Sequence, residues 1–239
     1  MNTNPAVLLG ALLAAGLALA GWFIGSFIGQ GFVDARALER SVEVKGLAER
    51  EVAADTAIWP LQVMVGGNEL EPLLAQIERQ VAQVRAFLTL RGFDDAEISV
   101  GSPNIIDRKA QGWGDPNAGF RYSVTQVVTV FTAKIDAVRG AGSELLELGK
   151  AGIVFAQDNY EFRTQYLFNG LNDIKPSMIE EATRNAREVA QKFAEDSSSR
   201  LGKIRTARQG QFSISDRDSN NPHIKNVRVV STLEYYLAD

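Results

Sequence analysis

From Ala6 to Ile28 the chain carries no charged side chain, and Leu, Ala and Gly fill most positions. As a helix rising about 1.5 Å per residue, that run covers the roughly 30 Å hydrocarbon layer of a bilayer. A core helix of a water-soluble domain would show a polar face, and this run has none. The pattern predicts an uncleaved transmembrane anchor within residues 1–30. The competing reading is a signal peptide cleaved near Ala18-Leu19-Ala20, which calls for a basic start and a shorter apolar core. Met1-Asn2-Thr3-Asn4-Pro5 has no Lys or Arg, and the run continues through Trp22, Phe23, Ile24, Phe27 and Ile28. Gly21, Gly25 and Gly29 recur every fourth residue. Glycines so spaced form a flat strip that lets a second helix approach, a candidate helix–helix contact. Glycine is also common in membrane helices for its own sake, and both readings stand.

After a short polar connector over 31–40, the pattern changes to alternation. Val42-Glu43-Val44-Lys45-Gly46 reads as a strand with one buried face, and the charged triplet Glu49-Arg50-Glu51 as a turn. A longer strand follows over 52–65, where Pro60 demands an edge position or a bulge. Residues 69–90 place Leu70, Leu73, Leu74, Ile77, Val81, Val84, Phe87 and Leu88 at helical spacing, closed by Arg91-Gly92. Strands are predicted over 98–106 and 120–133, separated by a Gly/Asn/Asp/Pro-rich loop over 109–119 with Trp113 in it. A short helix over 136–149 has Asp136 as its cap, and a strand follows over 153–167. Lys175-Pro176-Ser177 opens a helix to Leu201, ended by Gly202. Two strands, 204–214 and 227–236, enclose a polar loop. The order predicts an α+β fold: a mostly antiparallel sheet with helices packed on one face, preceded by one N-terminal transmembrane helix. The expected domain runs over 41–239.

Composition narrows the chemistry. Cysteine is absent, which removes disulfides, thiolate nucleophiles and sulfur ligands. The single histidine, His223, sits in a polar stretch and reads as a solvated loop residue; alone it supplies neither a zinc site nor a triad. The net charge is −4, and no basic face for nucleic acid is evident. Asp94/Asp95 and Glu180/Glu181 are paired carboxylates of the kind helix ends and solvated faces carry. Asp216, Asp218, Asn220 and Asn221 lack the glycine and the closing glutamate of a calcium loop. No cofactor or metal is expected, and no catalytic residue is assigned: the chain reads as a non-enzyme. Trp113, flanked by glycines, is a candidate contact at a subunit or partner surface, with folding back on its own domain as the other reading.

Four features in order resemble the SIMPL-domain family of mostly bacterial envelope proteins. They are the opening Val42-Glu43-Val44-Lys45-Gly46-Leu47-Ala48; the helix ending in Arg91-Gly92-Phe93 before an acidic residue and a strand; Phe120-Arg121-Tyr122 leading to Gln126-Val127-Val128-Thr129-Val130 and Ile135-Asp136; and the late helix with Ala182, Ala186, Ala190 and Ala194. The resemblance spans about 41–237. It departs at Ala48, where the family's opening motif has a second glycine, at Trp59-Pro60, and in the Trp113 loop. The alanine strip reads as core packing or as a subunit contact. The resemblance implies an envelope location, homo-oligomers (ring or channel-like in some relatives) and an association with stress tolerance. It offers no catalytic centre to carry over.

The expected protein is thus a single-pass inner-membrane protein that self-assembles into a homo-oligomer. The other function class is a periplasmic binder of lipid or a small hydrophobic ligand. Arg36, Arg40 and Lys45 after the anchor would by charge alone put the domain in the cytoplasm. The family resemblance points to the periplasm, and it rests on the whole domain rather than on three residues.

Overall fold

The computed structural model describes residues 14, 16–28, 40–110, 119–156 and 162–238. Residues 16–28 form a helix, α1. The chain makes two compact units: unit 1 from Met1–Glu49, Pro176–Phe212 and Arg228–Asp239, and unit 2 from Arg50–Lys175 and Ser213–Val227. The elements are β1 (Ser41–Ala53), β2 (Thr56–Gly67), α2 (Leu70–Leu90), a 3-10 turn (Asp95–Glu97), β3 (Ile98–Val100), β4 (Asn104–Asp107), β5 (Tyr122–Thr132), α3 (Ile135–Lys150), β6 (Gln165–Leu167), α4 (Leu171–Asp196), β7 (Arg200–Gln209), β8 (Ser213–Asp216) and β9 (Ile224–Ala238).

The fold is α+β with antiparallel pairing, as the alternation predicts, but the strands divide between two sheets rather than one. A four-stranded sheet has the order β1-β9-β7, with β8 also on β9; a five-stranded sheet has the order β3-β5-β2-β6, with β4 on β5. The division begins at Ala54-Asp55. The charged triplet Glu49-Arg50-Glu51 is no turn: it continues β1, with Glu49 and Glu51 outward and Arg50 half-buried. Charge is tolerated there because a strand with one wet face exposes every second residue.

In unit 2, β2 and β5 pair from Ala57↔Thr132 to Gly67↔Tyr122. That register sets buried Trp59 opposite Val130, Leu61 opposite Val128 and Val65 opposite Val124, so one face of the sheet is mostly apolar, interrupted by Gln126 opposite Val63. Leu73, Ile77, Val84 and Leu88 of α2 and Val138 and Leu148 of α3 pack into that same core. Pro60 sits where β2 needs no second partner among the described residues. It falls between the β6 pairing, which ends at Ile58↔Gln165, and the bridge Val63↔Phe155. The strand expected over 98–106 is two short ones. Of the strand expected over 153–167, the described residues show only that bridge and β6.

Unit 1 is smaller. Val44, Ala186, Ala190, Leu233 and Tyr235 form its core, with α4 against β1 and β9. Glycine or serine ends three helices in the same way. Gly92 (φ 87°), Gly152 (φ 84°) and Ser198 (φ 54°) are left-handed. After each, the next residue's N–H reaches back to the helix: Phe93 to the Leu88 carbonyl (3.2 Å), Ile153 to Leu148 (3.0 Å) and Ser199 to Ala194 (2.8 Å). So α4 stops at Asp196 on Ser198, not at Leu201 on Gly202, and it begins at Leu171, ahead of Lys175-Pro176. Asp136 lies inside the first turn of α3, whose cap position is Lys134. A side chain at Ser198 is strained by its left-handed backbone. Ser198→Gly is therefore expected to stabilise the protein by about 0.5–1 kcal/mol, read as a rise in urea midpoint. A fall would show that the serine hydroxyl matters more than the backbone.

Candidate functional site

The polar side chains of unit 2 gather where the β8–β9 loop meets β6 and α3. Asp218 builds that loop. Its carboxylate accepts the backbone N–H groups of Asn220 and Asn221 (2.9 Å each) and Nε of Arg217 (2.9 Å). The Arg217 hydrogen bond is the main reason its pKa falls to about 2, with the Asn221 and Asn220 bonds adding to it. The loop resembles a calcium site in composition only, because its carboxylates are committed inward. Asp216 pairs with Lys225, whose side chain is buried.

His223 is held at both ends. Its carbonyl accepts the Ala54 N–H (2.8 Å), and its ring lies edge-on to Tyr166 at 6.1 Å and 66°. It is half-buried rather than solvated, which corrects the expectation of a free loop histidine. Burial first, then the positive charges of Arg139 and Arg217, hold the imidazole pKa below its ordinary value. The ring is therefore neutral at pH 7. Burial likewise keeps the Tyr166 phenol protonated.

Around this pair lie two open depressions of about 520 and 510 Å³ that share Thr164, Tyr166, Ser219 and Pro222. Arg163 and Lys225 line the first, and Arg139, Trp59 and His223 the second. Hydroxyls and guanidinium groups at such a surface suit a polar or anionic group better than an acyl chain. Among the described residues no three His, Asp or Glu side chains are placed to share a metal ion.

The Asp94/Asp95 pair is structural. Asp94 caps the 3-10 turn, and its N–H donates to Glu97 Oε2 (2.9 Å). Lys134 Nζ donates to both Asp94 and Glu97 at 2.8 Å, and Thr132 Oγ1 to Glu97 Oε1 at 2.6 Å. Asp95 pairs with Arg85 instead. Partial burial of Glu97 opposes ionisation, but the bonds from Lys134, Thr132 and Asp94 outweigh it and bring the pKa from 4.5 to about 2. A depressed carboxylate stabilises the fold above its unfolded pKa and loses that contribution as pH falls through the folded one. About 1–2 kcal/mol of stability, discounted for solvent screening, is expected to disappear between those two values and to be missing in Glu97→Gln. Urea melts across that acid range check it; parallel curves for both proteins would contradict it.

The residues singled out from the sequence lie apart from this region. Gly21 and Gly25 are on α1, where an added Cβ would meet nothing within 4 Å; Gly29 and Trp113 lie outside the described residues. Ala182, Ala186, Ala190 and Ala194 are at most 1% exposed. They belong to the inner face of α4, with Ala186 and Ala190 in the unit 1 core. That is the core-packing reading of the strip, and it leaves no alanine surface for a second subunit. Sequence reasoning missed the Tyr166–His223 pair, since nothing in the spacing of these two residues links them.

No curated protein matches the chain. A family model described as SIMPL, a protein of unknown function (DUF541), matches residues 42–230, close to the span carrying the resemblance, and the chain belongs to that family.

Proposed function

We propose that this is a non-enzymatic, membrane-tethered envelope protein whose copies self-assemble, with the part beyond the anchor on the periplasmic side of the inner membrane. A role in stress tolerance accompanies that reading. The observation that carries it is the apolar N-terminal segment. Leu17, Trp22 and Phe27 of α1 are 74%, 69% and 75% exposed, on a helix without a charged side chain. Such a surface in water is unfavourable by about 25 cal/mol per Å² and needs an apolar surrounding. No helix among the described residues is itself long and apolar enough to cross a membrane; of the run from Ala6 to Ile28 they include only residues 14 and 16–28. The absence of cysteine and the presence of a single histidine support a non-catalytic role.

The particle mass of the full chain in mild detergent tests the assembly. A defined particle of several copies is expected, and Gly21→Leu/Gly25→Leu/Gly29→Leu should shrink or loosen it if the anchor takes part. A monodisperse monomer would sink the reading. The alternative, a lipid or small hydrophobic ligand carried by the periplasmic part, predicts co-purifying lipid in mass spectra of solvent extracts. The polar lining of the two depressions gives that alternative less support.

A further inference from the structure

The sheet of unit 1 ends in two edges of different charge. β9 lies at its centre, with β1 on one side and β7 on the other. β7 is exposed at every position except the partly covered Leu201, and Ile204 is 47% exposed. A ten-residue edge strand covered on neither face is an open template for another strand.

The pairing pattern shows which backbone groups are on offer. Gly210 N–H donates to the Val230 carbonyl, and Arg208 and Thr206 stand opposite Thr232 and Glu234. Alternation then turns the peptide groups of Ala207 and Gln209 away from β9. On β1 the Arg40 carbonyl accepts the Leu237 N–H, so the same alternation turns those of Ser41, Glu43 and Lys45 outward. Further along, the Leu47 carbonyl is taken by Asn185 Nδ2 (2.8 Å), which limits the usable edge of β1 to its first residues.

Charge selects the partner. β7 carries Arg200, Lys203, Arg205 and Arg208 and no acidic residue. Ser41 Oγ and Arg205 Nη1 both donate to Glu234 Oε1 (2.7 and 2.8 Å), so these three side chains share one face of the sheet. By alternation Glu43 and Lys45 of β1 lie on that face too, and Arg208 joins it because the register shift between Ile204 and Thr206 sets Thr206 and Arg208 opposite Glu234 and Thr232. The β1 edge thus offers an acid beside a base where β7 offers bases alone. Two β7 strands side by side would set Arg and Lys against Arg and Lys, which is unfavourable.

We infer that β7 of one copy adds to the β1 edge of a second copy, at residues 41–45, so that the sheet continues from chain to chain. This rests on the self-assembly reading and names its interface. Because the two edges differ, each addition leaves a free edge at either end, and growth stops only when the copies close into a ring.

The cysteine-free chain makes the test clean. Three full-length double variants, each Thr206→Cys with Ser41→Cys, Glu43→Cys or Lys45→Cys, place both thiols on the Glu234 face and are oxidised mildly in detergent. At least one is expected to give a ladder of covalent multimers, while Thr206→Cys alone gives none. In parallel, Arg208→Glu should reduce the particle towards monomer with an unchanged circular dichroism spectrum, and adding Glu43→Arg to the same chain should restore it. Efficient dimers from Thr206→Cys alone would overturn the inference in favour of β7–β7 pairing. A multimeric wild type with no ladder from any double variant, or one indifferent to Arg208→Glu, would overturn the interface and leave self-assembly standing. A monomeric wild type would overturn both.

Discussion

Replacing Gly46 with leucine is expected to dismantle the packing of α4 on β1 and to destabilise the protein by more than about 3 kcal/mol. An added Cβ at this position would lie 1.9 Å from the Ala182 carbonyl oxygen, 2.4 Å from the Ala186 nitrogen and 2.8 Å from the Ala186 Cβ. Two of those atoms are helix backbone and cannot swing aside, so α4 itself must retreat from Val44, Leu233 and Tyr235. Even Gly46→Ala should cost most of the effect. The companion change Ala186→Gly should not rescue it, because it removes only the farthest of the three clashes. Denaturant melts followed by circular dichroism decide the matter. A loss below about 1 kcal/mol for Gly46→Leu, or full rescue by Ala186→Gly, would show that the helix approaches β1 less closely than described here.

Removing the Asp55 carboxylate should have the next largest effect. Oδ2 accepts the backbone N–H groups of Asn169 (2.6 Å) and Gly170 (3.0 Å), and Oδ1 accepts Asn169 Nδ2 and Thr56 Oγ1 (2.9 Å each). The Asp55 N–H in turn donates to the Leu167 carbonyl at 2.9 Å. One side chain thus joins the β1–β2 corner to the segment that runs from β6 into α4. Burial opposes its ionisation, but the bonds from Asn169, Thr56 and Gly170 prevail and hold the pKa below the usual carboxylate range. Asp55→Ala leaves two backbone donors without their acceptor and is expected to cost about 2–3 kcal/mol. Asp55→Asn, which keeps one carbonyl oxygen, should cost less. The wild-type contribution is present above the unfolded carboxylate pKa and lost as pH falls through the folded one, so the gap between wild type and Asp55→Ala should narrow in acid. A gap unchanged by pH would mean that the carboxylate acts through shape rather than charge.

How much of this was legible in the sequence depended on whether a signal was local. The periodicity of Leu73, Ile77, Val81, Val84 and Leu88 located α2, and the alternation through Val124, Val128 and Val130 located β5, because burial on one face leaves a period in the chain. The glycine of the opening motif was also visible, and the structure supplies its reason. Gly46 faces the α4 backbone at close range, whereas at position 48 a methyl group fits and alanine is accepted. The division into two sheets was not visible. It turns on which strands pair, and the corner at Asp55 is held by residues over a hundred positions away. Glu49-Arg50-Glu51 looked like a turn because three charges in a row resemble a loop, yet a strand with one wet face carries them readily. The end of α4 was misplaced because a serine took the left-handed position that glycine usually fills. The alanine strip was recognisable, but only the fold shows that β1 and β9 already cover it. His223 was read as solvated because nothing near it in sequence announces Tyr166.

The central proposal is that the uncharged segment from Ala6 to Ile28 holds this protein in a membrane, and fractionation of the full chain tests it most directly. Washed membranes are extracted with alkaline carbonate and then with mild detergent, beside a variant that begins at Gly31. The full chain is expected to remain in the pellet through carbonate and to leave it only in detergent, while the shortened variant is soluble from the start. Full-length protein released by carbonate, or a shortened variant that stays in the pellet, would contradict the anchor.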